Sequence, residues 1–290
     1  MNTANIKSNS GRDITMSKLE IASLCKQANE IRKDIIRMLV EAGSGHPGGS
    51  LSCTDILTAL YFKIMRHNPK EPKWADRDRL VLSKGHGAPA LYAALAHAGY
   101  FPKEQLLTLR KLDSALQGHP DMRRLPGLEA STGSLGQGLS IGAGMALAGK
   151  LDQKDYRTYV ILSDGELNEG QIWEAASFSA HHQLNRLIAI IDYNKFQLDG
   201  AVREVLNMEP MMDKWKSFGW RTFEINGHEM KELLDTLERA KEVKHQPVSI
   251  IAHTIKGKGV SFMEGNNDFH GVAPTKEEGE KALRELEGKS

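Results

Sequence analysis

Residues 160–170 read VILSDGELNEG: an apolar run stops at a small serine, and an acid, a glycine and two more acids follow at once. A carboxylate just past a strand end is well placed to hold a divalent cation. Mg²⁺ rarely receives an all-protein cage and prefers one or two carboxylates together with substrate phosphates. Asp164 is such a carboxylate, and the helix expected to begin near Glu169 offers free N–H groups and a positive dipole end to an anion. Further along, the strand LIAIIDYN finishes at Asn194, at the spacing one strand–helix–strand unit allows, and an amide oxygen there would be a second ligand. The same residues have a plainer reading, in which Asp164 caps the helix and Asn194 makes a turn. On residue chemistry the two weigh evenly.

Histidine is the second chemical signal. Five of the eleven histidines adjoin a glycine: His46, His86, His119, His228 and His270. A single such pair is more often an ordinary loop than a ligand site. Five pairs tilt the balance, because glycine lets backbone approach a ligand closely and loops at strand ends are where α/β sheets bind ligands.

The elements that must position these groups are legible as pattern. Apolar residues recur at helical spacing from Ser17 to about Ala42. A glycine-rich loop, GSGHPGGS, separates this from a second helix, CTDILTALYFKIM. Strands are expected at RLVLS, TYVILS, LIAIIDYN, RTFEIN and PVSIIAHT, with helices between them and a loop-like stretch over 111–136. Apolar strands without alternation, separated by helices, indicate a mostly parallel sheet buried on both faces, hence a three-layer α/β/α fold. We read residues 1–15 as a disordered leader, 16–274 as one domain and 275–290 as a charged helix or tail.

Composition narrows the function. With 40% hydrophobic residues, 26% charged residues and a net charge of +1, the 290-residue chain is ordinary globular protein without the basic surface nucleic acids require. Two cysteines without CxxC spacing, Cys25 and Cys53, argue against a zinc site or a disulfide framework. The polar N-terminus has no signal-peptide core and no run reaches a membrane span, so a soluble cytoplasmic protein is the default.

The segment SDGELNEGQIWEAASFSAHHQLNRLIAIIDYNKFQLDG resembles the thiamine-diphosphate motif, in which GDG is followed about thirty residues later by an asparagine. Its neighbours resemble transketolase in particular: AGSGHPGGSLSCTDIL, RLVLSKGHGAPALYAAL, GHPD, STGSLGQGLSIGAGMALA, TIKGKGVSFME and HGVAP occur in order from residue 42 to 274. The likeness covers the first third to half of a full-length transketolase, the part that binds the cofactor's diphosphate. It implies the N-terminal subunit of a split enzyme that transfers a two-carbon ketol unit from a ketose to an aldose. It also implies a partner, the C-terminal transketolase subunit, most simply in a heterotetramer. That partner would carry the pyrimidine-binding domain and the glutamate that activates the cofactor.

Carried over by position, the resemblance implies that Asp164, Asn194 and the Phe196 carbonyl hold Mg²⁺, with Ca²⁺ or Mn²⁺ able to substitute. His46, His86, His119 and His270 would be the catalytic histidines; His86 with Lys84 and Lys256 would meet the diphosphate. Gly133 and Leu135 would contact the cofactor's rings, Gly165 its diphosphate region, and Glu169 would bridge subunits at the cofactor. His228, in NGH, would be structural. One position departs: Ser163 stands where the motif has its first glycine. Rival readings are a deoxyxylulose-phosphate synthase, the alpha chain of a 2-oxo-acid dehydrogenase, or a non-catalytic cofactor-binding subunit. Pentose-phosphate metabolism is the default pathway, and a specialised ketose, phosphorylated or not, fits as well.

Overall fold

A computed structural model describes residues 17–288; the leader expected over 1–15 lies outside them. Helix α1 (Lys18–Ala42) begins where a capping box forms: the Ser17 hydroxyl accepts from the Glu20 N–H and the Glu20 carboxylate accepts from the Ser17 N–H. It ends at Gly43, in the left-handed conformation.

The next segment departs from the sequence reading. GSGHPGGS, expected as a loop, runs into helix α2 (Pro47–Ser52), with Pro47 at the first helical position and all six residues buried. Glycine disfavours helix by roughly 1 kcal/mol relative to alanine, and tertiary packing overrides that here. A Cβ on Gly48 would lie 2.9 Å from the Lys256 side chain, and one on Gly49 would lie 3.3 Å from His86 Nε2. The glycines leave room for site residues. Helix α3 (Thr54–Ala59) follows and closes in a wide π-turn over Leu60–Ile64.

Five strands form the expected parallel sheet: β1 (Arg79–Leu82), β2 (Thr158–Ser163), β3 (Leu187–Tyr193), β6 (Arg221–Asn226) and β7 (Val248–His253), ordered β1-β2-β3-β7-β6. Between β3 and β6 lie a small hairpin of β4 (Phe196–Gln197) and β5 (Gly200–Ala201) and helices α7 (Val202–Val205) and α8 (Met211–Ser217). The remaining helices are α4 (Ala88–His97), α5 (Gln137–Leu151), α6 (Gly170–His181), α9 (Met230–Lys241) and α10 (Lys276–Glu287).

Side chains of successive strand residues serve opposite cores. Leu80, Leu82, Ile161, Ile190 and Ile250 pack into the layer that holds α1, α3, α4 and α9. Val81, Val160, Leu162, Ile191 and Ile251 pack under α5, α6 and α8. β2 is buried at all six positions, which is why it reads as a continuous apolar run. The charged C-terminal stretch is helical as α10, and it packs on α1: Ala282 and Leu286 are buried and Asn29 Nδ2 donates to the Leu286 carbonyl at 2.7 Å. No described helix is long and apolar enough to cross a membrane.

Candidate active site

Parallel strands all end on one side, so the residues that leave them converge. Lys84 follows β1, Asp164 follows β2, Asp192 and Asn194 end β3, and Thr254 and Lys256 follow β7. The chain reaches β7 only after first building β6 at the sheet's far edge. Such a reversal of strand order opens a crevice outside the strand ends, the usual ligand position in open α/β sheets.

Asp164 is fully buried and unlike a cap residue. Its side chain makes no helix-capping bond; Oδ2 accepts from the Lys195 N–H at 2.7 Å, and Oδ1 has no partner. Burial pushes this carboxyl up to about 7, with the Asp192 carboxylate adding to the rise. A buried acceptor left open is costly unless a ligand completes it. Asn194 does make a turn, its Oδ1 accepting from the Phe196 N–H at 3.1 Å, while Nδ2 donates to Asp192 Oδ2 at 3.2 Å. Lys195 between them is left-handed at φ +73°, a conformation non-glycine residues adopt mainly where the surroundings enforce it. A Cβ on Gly165 would lie 2.8 Å from Gln197 Cβ and 3.6 Å from the Phe196 carbonyl oxygen, so β4 sits hard against Gly165. An open carboxylate oxygen, an amide oxygen and a backbone carbonyl are all hard oxygen donors of the kind Mg²⁺ takes. Among the described residues no group of three histidines, cysteines or acids could hold a metal instead.

Beneath this lies a buried ionic floor that sequence reasoning missed. Asp192, fully buried, accepts from Lys84 Nζ, from the Thr254 hydroxyl, and from Ser52 Oγ at 2.6 Å. Burial works against the Lys84 charge, but Asp192 outweighs it, and Lys84 Nζ also donates to the Gly49 carbonyl at 2.7 Å. Lys84 is therefore committed below the crevice rather than free within it. A second hidden carboxylate, Glu166, accepts from Ser83 Oγ, from the Gly136 N–H at 2.8 Å and from the Ser163 N–H at 3.2 Å. It joins the loops that carry Lys84, Asp164 and Leu135. An acid inside the apolar run LIAIID was a signal for Asp192; nothing local marked Glu166 out from its acidic neighbours. Ser163 is the last residue of β2, its backbone has no positive φ, and its hydroxyl accepts from the Glu166 N–H at 3.3 Å.

Four of the five glycine-flanked histidines come together. Ring centroids lie 5.4 Å apart for His46 and His86, 5.9 Å for His46 and His270, 5.5 Å for His86 and His270, and 6.3 Å for His46 and His119. Burial, then neighbouring cations, lowers His46 and His270 to about 4 and holds His86 well below the usual imidazole range; His119 is lowered for the same reasons. All four are neutral near pH 7 and able to accept protons. Lys256 donates to Asn267 Oδ1 at 2.5 Å and meets His270 Nδ1 at 2.8 Å; burial, then the Lys84 charge, brings it down to about 8. Gly133, at φ +146°, packs against the His119 ring, where a Cβ would come within 3.0 Å. Leu135 is half-buried beside it, its carbonyl accepting from Gln171 Nε2 at 3.4 Å.

Two candidates stand apart. Glu169, at the N-cap of α6, is exposed and makes no capping bond. His228 is outside the histidine cluster: its Nδ1 pairs with Asp55 Oδ2 at 2.7 Å and its Nε2 accepts from the Ile255 N–H at 2.8 Å.

Comparison with known proteins places the chain in a family. The family model for the thiamine diphosphate binding domain of transketolase matches residues 24–289. The chain is 50% identical over 272 residues to the 6-deoxy-6-sulfo-D-fructose transketolase subunit SqwG of Clostridium sp. (strain MSTE9), covering 94% of this chain and 98% of that one. It is 45% identical to one of the apulose-4-phosphate transketolase subunits of Phocaeicola vulgatus, covering 92% of this chain and 95% of that one. Among solved structures, transketolase of Campylobacter jejuni superposes with a TM-score of 0.87 at 36% identity, over 93% of this chain and 43% of that one. The chain thus spans less than half the length of the solved transketolase, and nearly the full length of the two subunits. The chain belongs to the transketolase family, as a thiamine diphosphate-binding subunit of a ketol-transferring enzyme.

Proposed function

We propose that this chain is the cofactor-binding half of a two-chain transketolase whose donor is a specialised ketose bearing a terminal anion. The observation that carries the reading is the end-to-end match, at 50% and 45% identity, with subunits named for sulfofructose and apulose-4-phosphate transfer. Those names make a modified ketose the better expectation than a pentose phosphate.

Thiamine diphosphate, when bound, supplies the electron sink for cleavage of the ketose carbon–carbon bond. The chain's own residues do the rest. Asp164 Oδ1, which lacks a partner, together with Asn194 and the Phe196 carbonyl would hold Mg²⁺ at the diphosphate, with Ca²⁺ or Mn²⁺ as substitutes. Lys256 and His86 would face the diphosphate, and Lys84 would act on it from the floor through its field. Gly165 would leave room for it, and Gly133 and Leu135 would pack on the rings. His46, His119 and His270, neutral at pH 7, accept and return protons at the sugar's hydroxyl and carbonyl oxygens.

The partner is the C-terminal half of the enzyme, which supplies the pyrimidine-binding domain and the activating glutamate, with exposed Glu169 facing it. The assembly is a cytoplasmic heterotetramer, with an obligate contact of more than ~2,000 Å². The test is to purify the chain alone and with that partner, and to assay ketol transfer to glyceraldehyde 3-phosphate. Donors are 6-deoxy-6-sulfo-D-fructose, apulose 4-phosphate and xylulose 5-phosphate. Transfer only by the pair, and fastest from one of the first two donors, is the expected result. Transfer by the chain alone refutes the two-chain assignment; preference for xylulose 5-phosphate refutes the specialised donor.

A further inference from the structure

Every cation deep in the site is already committed. Lys84 is paired with Asp192, and Lys256 is bonded to Asn267 and His270. Arg110 is different. It lies on the loop before His119, its side chain is exposed, and it pairs with no carboxylate among the described residues.

Its placement is nevertheless built. The backbone of Arg110 is left-handed at φ +60°, and its N–H donates to the Leu116 carbonyl at 2.8 Å, closing the turn that brings the side chain back over the loop. A non-glycine residue holds that conformation at some cost, and such residues concentrate at functional sites. A Cβ on Gly118 would lie 3.1–3.2 Å from Nε, Cζ and Nη2, so the guanidinium lies flat over Gly118. A Cβ on Gly45 would be 3.9 Å from the same Nε. The guanidinium thus bridges the residues immediately before His119 and His46, two rings of the cluster 6.3 Å apart. Tyr92 steadies the loop from below, its hydroxyl donating to the Gln117 and His119 carbonyls at 2.9 and 3.1 Å. Arg110 also helps keep His46 and His119 neutral, second only to burial.

We propose that Arg110 is a substrate-recognition residue whose guanidinium binds the terminal oxyanion, phosphate or sulfonate, of a sugar engaged at the histidine cluster. A planar, uncommitted guanidinium presents parallel N–H donors that match such an oxyanion in bidentate fashion, which a lysine ammonium cannot reproduce. The terminal anion belongs to the donor or to the acceptor, and the inference rests on the functional reading above.

The experiment uses the two-chain enzyme and the variants Arg110→Gln and Arg110→Lys. One arm compares fructose 6-phosphate with D-fructose as donor, and the other compares glyceraldehyde 3-phosphate with glyceraldehyde as acceptor. Arg110→Gln is expected to raise KM roughly 10- to 100-fold for the phosphorylated member of one pair, with kcat and the neutral member within about threefold; Arg110→Lys recovers part of the loss. The arm that responds identifies the sugar. A second measurement needs no turnover: phenylglyoxal labelling of Arg110 in the assembled complex, followed by mass spectrometry. Slower labelling with fructose 6-phosphate than with D-fructose, or with glyceraldehyde 3-phosphate than with glyceraldehyde, supports the proposal. Equal losses on phosphorylated and neutral sugars, or labelling indifferent to all four, overturns it. Absence of transfer by the unmutated pair from 6-deoxy-6-sulfo-D-fructose and apulose 4-phosphate as well instead sinks the functional reading, and the labelling then decides on Arg110 by itself.

Discussion

Two buried acids in this molecule meet opposite fates. Asp55, on α3, lies between Arg32 of α1 and His228 of the loop after β6: Oδ1 accepts from Arg32 Nη1 at 3.1 Å, and Oδ2 accepts from Nη2 at 2.6 Å and from His228 at 2.7 Å. Burial works to raise Asp55, but Arg32 and then His228 outweigh it and hold it at about 2. Asp164, equally buried, has one backbone donor, an open oxygen and a like-charged neighbour, and sits at about 7. Both clusters combine acid, base and histidine; composition does not separate them. Satisfaction does. A carboxylate with both oxygens answered is a strut, and one with an oxygen unanswered is waiting for a ligand.

The sharpest way to break that contrast is Asp164→Asn. In the two-chain enzyme it is expected to lower ketol transfer more than a thousandfold, since the proposed cation site would lose its carboxylate. The isolated chain should behave the other way. Removing a buried charge beside Asp192 raises its thermal midpoint in the absence of ligands. Thiamine diphosphate with Mg²⁺, which raises the midpoint of the unmutated chain by mass action, should no longer shift it. A variant that melts lower than the parent without ligands would mean that Asp164 is a strut after all.

Asp55→Ala is the reverse experiment. It leaves the Arg32 charge buried without its acid, and losing one partner of a buried pair costs roughly 3–5 kcal/mol. Chemical denaturation should show that loss. Thiamine diphosphate affinity of the molecules that remain folded should stay within about threefold. A tenfold loss of affinity at unchanged stability would move the Asp55 cluster into the functional site.

Glu166→Gln tests an intermediate case, a satisfied carboxylate whose partners belong to the site. Its oxygens take three donors from Ser83, Gly136 and Ser163, and an amide can answer only some of them. A stability loss of about 1–3 kcal/mol is expected. Thiamine diphosphate affinity should weaken roughly tenfold by titration, because the loops bearing Asp164 and Leu135 lose their common tie, while kcat at saturating cofactor stays within threefold. Loss of stability alone would make Glu166 a strut like Asp55.

These cases show what the sequence could reveal. Strands β1, β2, β3 and β7 were legible because burial on both faces leaves few polar residues to interrupt them, whereas β6 at the sheet's edge is half-exposed. Asp164 and Asn194 stood out as positions because strand ends punctuate the pattern. The histidine cluster was foreshadowed by its glycines. Helix α2 was not, since Gly48 and Gly49 disfavour helix locally and are glycines because Lys256 and His86 fill the space their side chains would take. Nor was the ionic floor: Ser52 and Asp192 are partners 140 residues apart, and Glu166 looks like any acid of its stretch until Ser83 and Gly136 meet it. Local chemistry announces a residue's type; whether its polar atoms are answered is a property of the assembled fold.

The smallest effect lies in the histidines and concerns how the contrast depends on pH. His46 has a folded-state pKa of about 4, below the ordinary value of 6.5, mainly through burial and then through Arg110. Between those values the unfolded chain binds a proton that the folded chain refuses, so stability from this group is present above pH 6.5 and is lost as pH falls toward 4. Asp164 opposes it: with its pKa raised to about 7, the folded chain takes up a proton first, and stability rises as pH falls through the same range. Total slopes therefore mix the two, and the difference between variants separates them. Without ligands, His46→Asn should melt with a shallower decline from pH 6.5 to 4.5 than the unmutated chain, and Asp164→Asn with a steeper one. Asp55 should contribute almost nothing to either slope, because its folded value of about 2 and its ordinary value of 3.8 both lie below this range. Equal slopes in all three proteins would mean that the imidazole and the open carboxylate are far more solvated than their burial indicates. The distinction between strut and open site would then rest on hydrogen bonding alone.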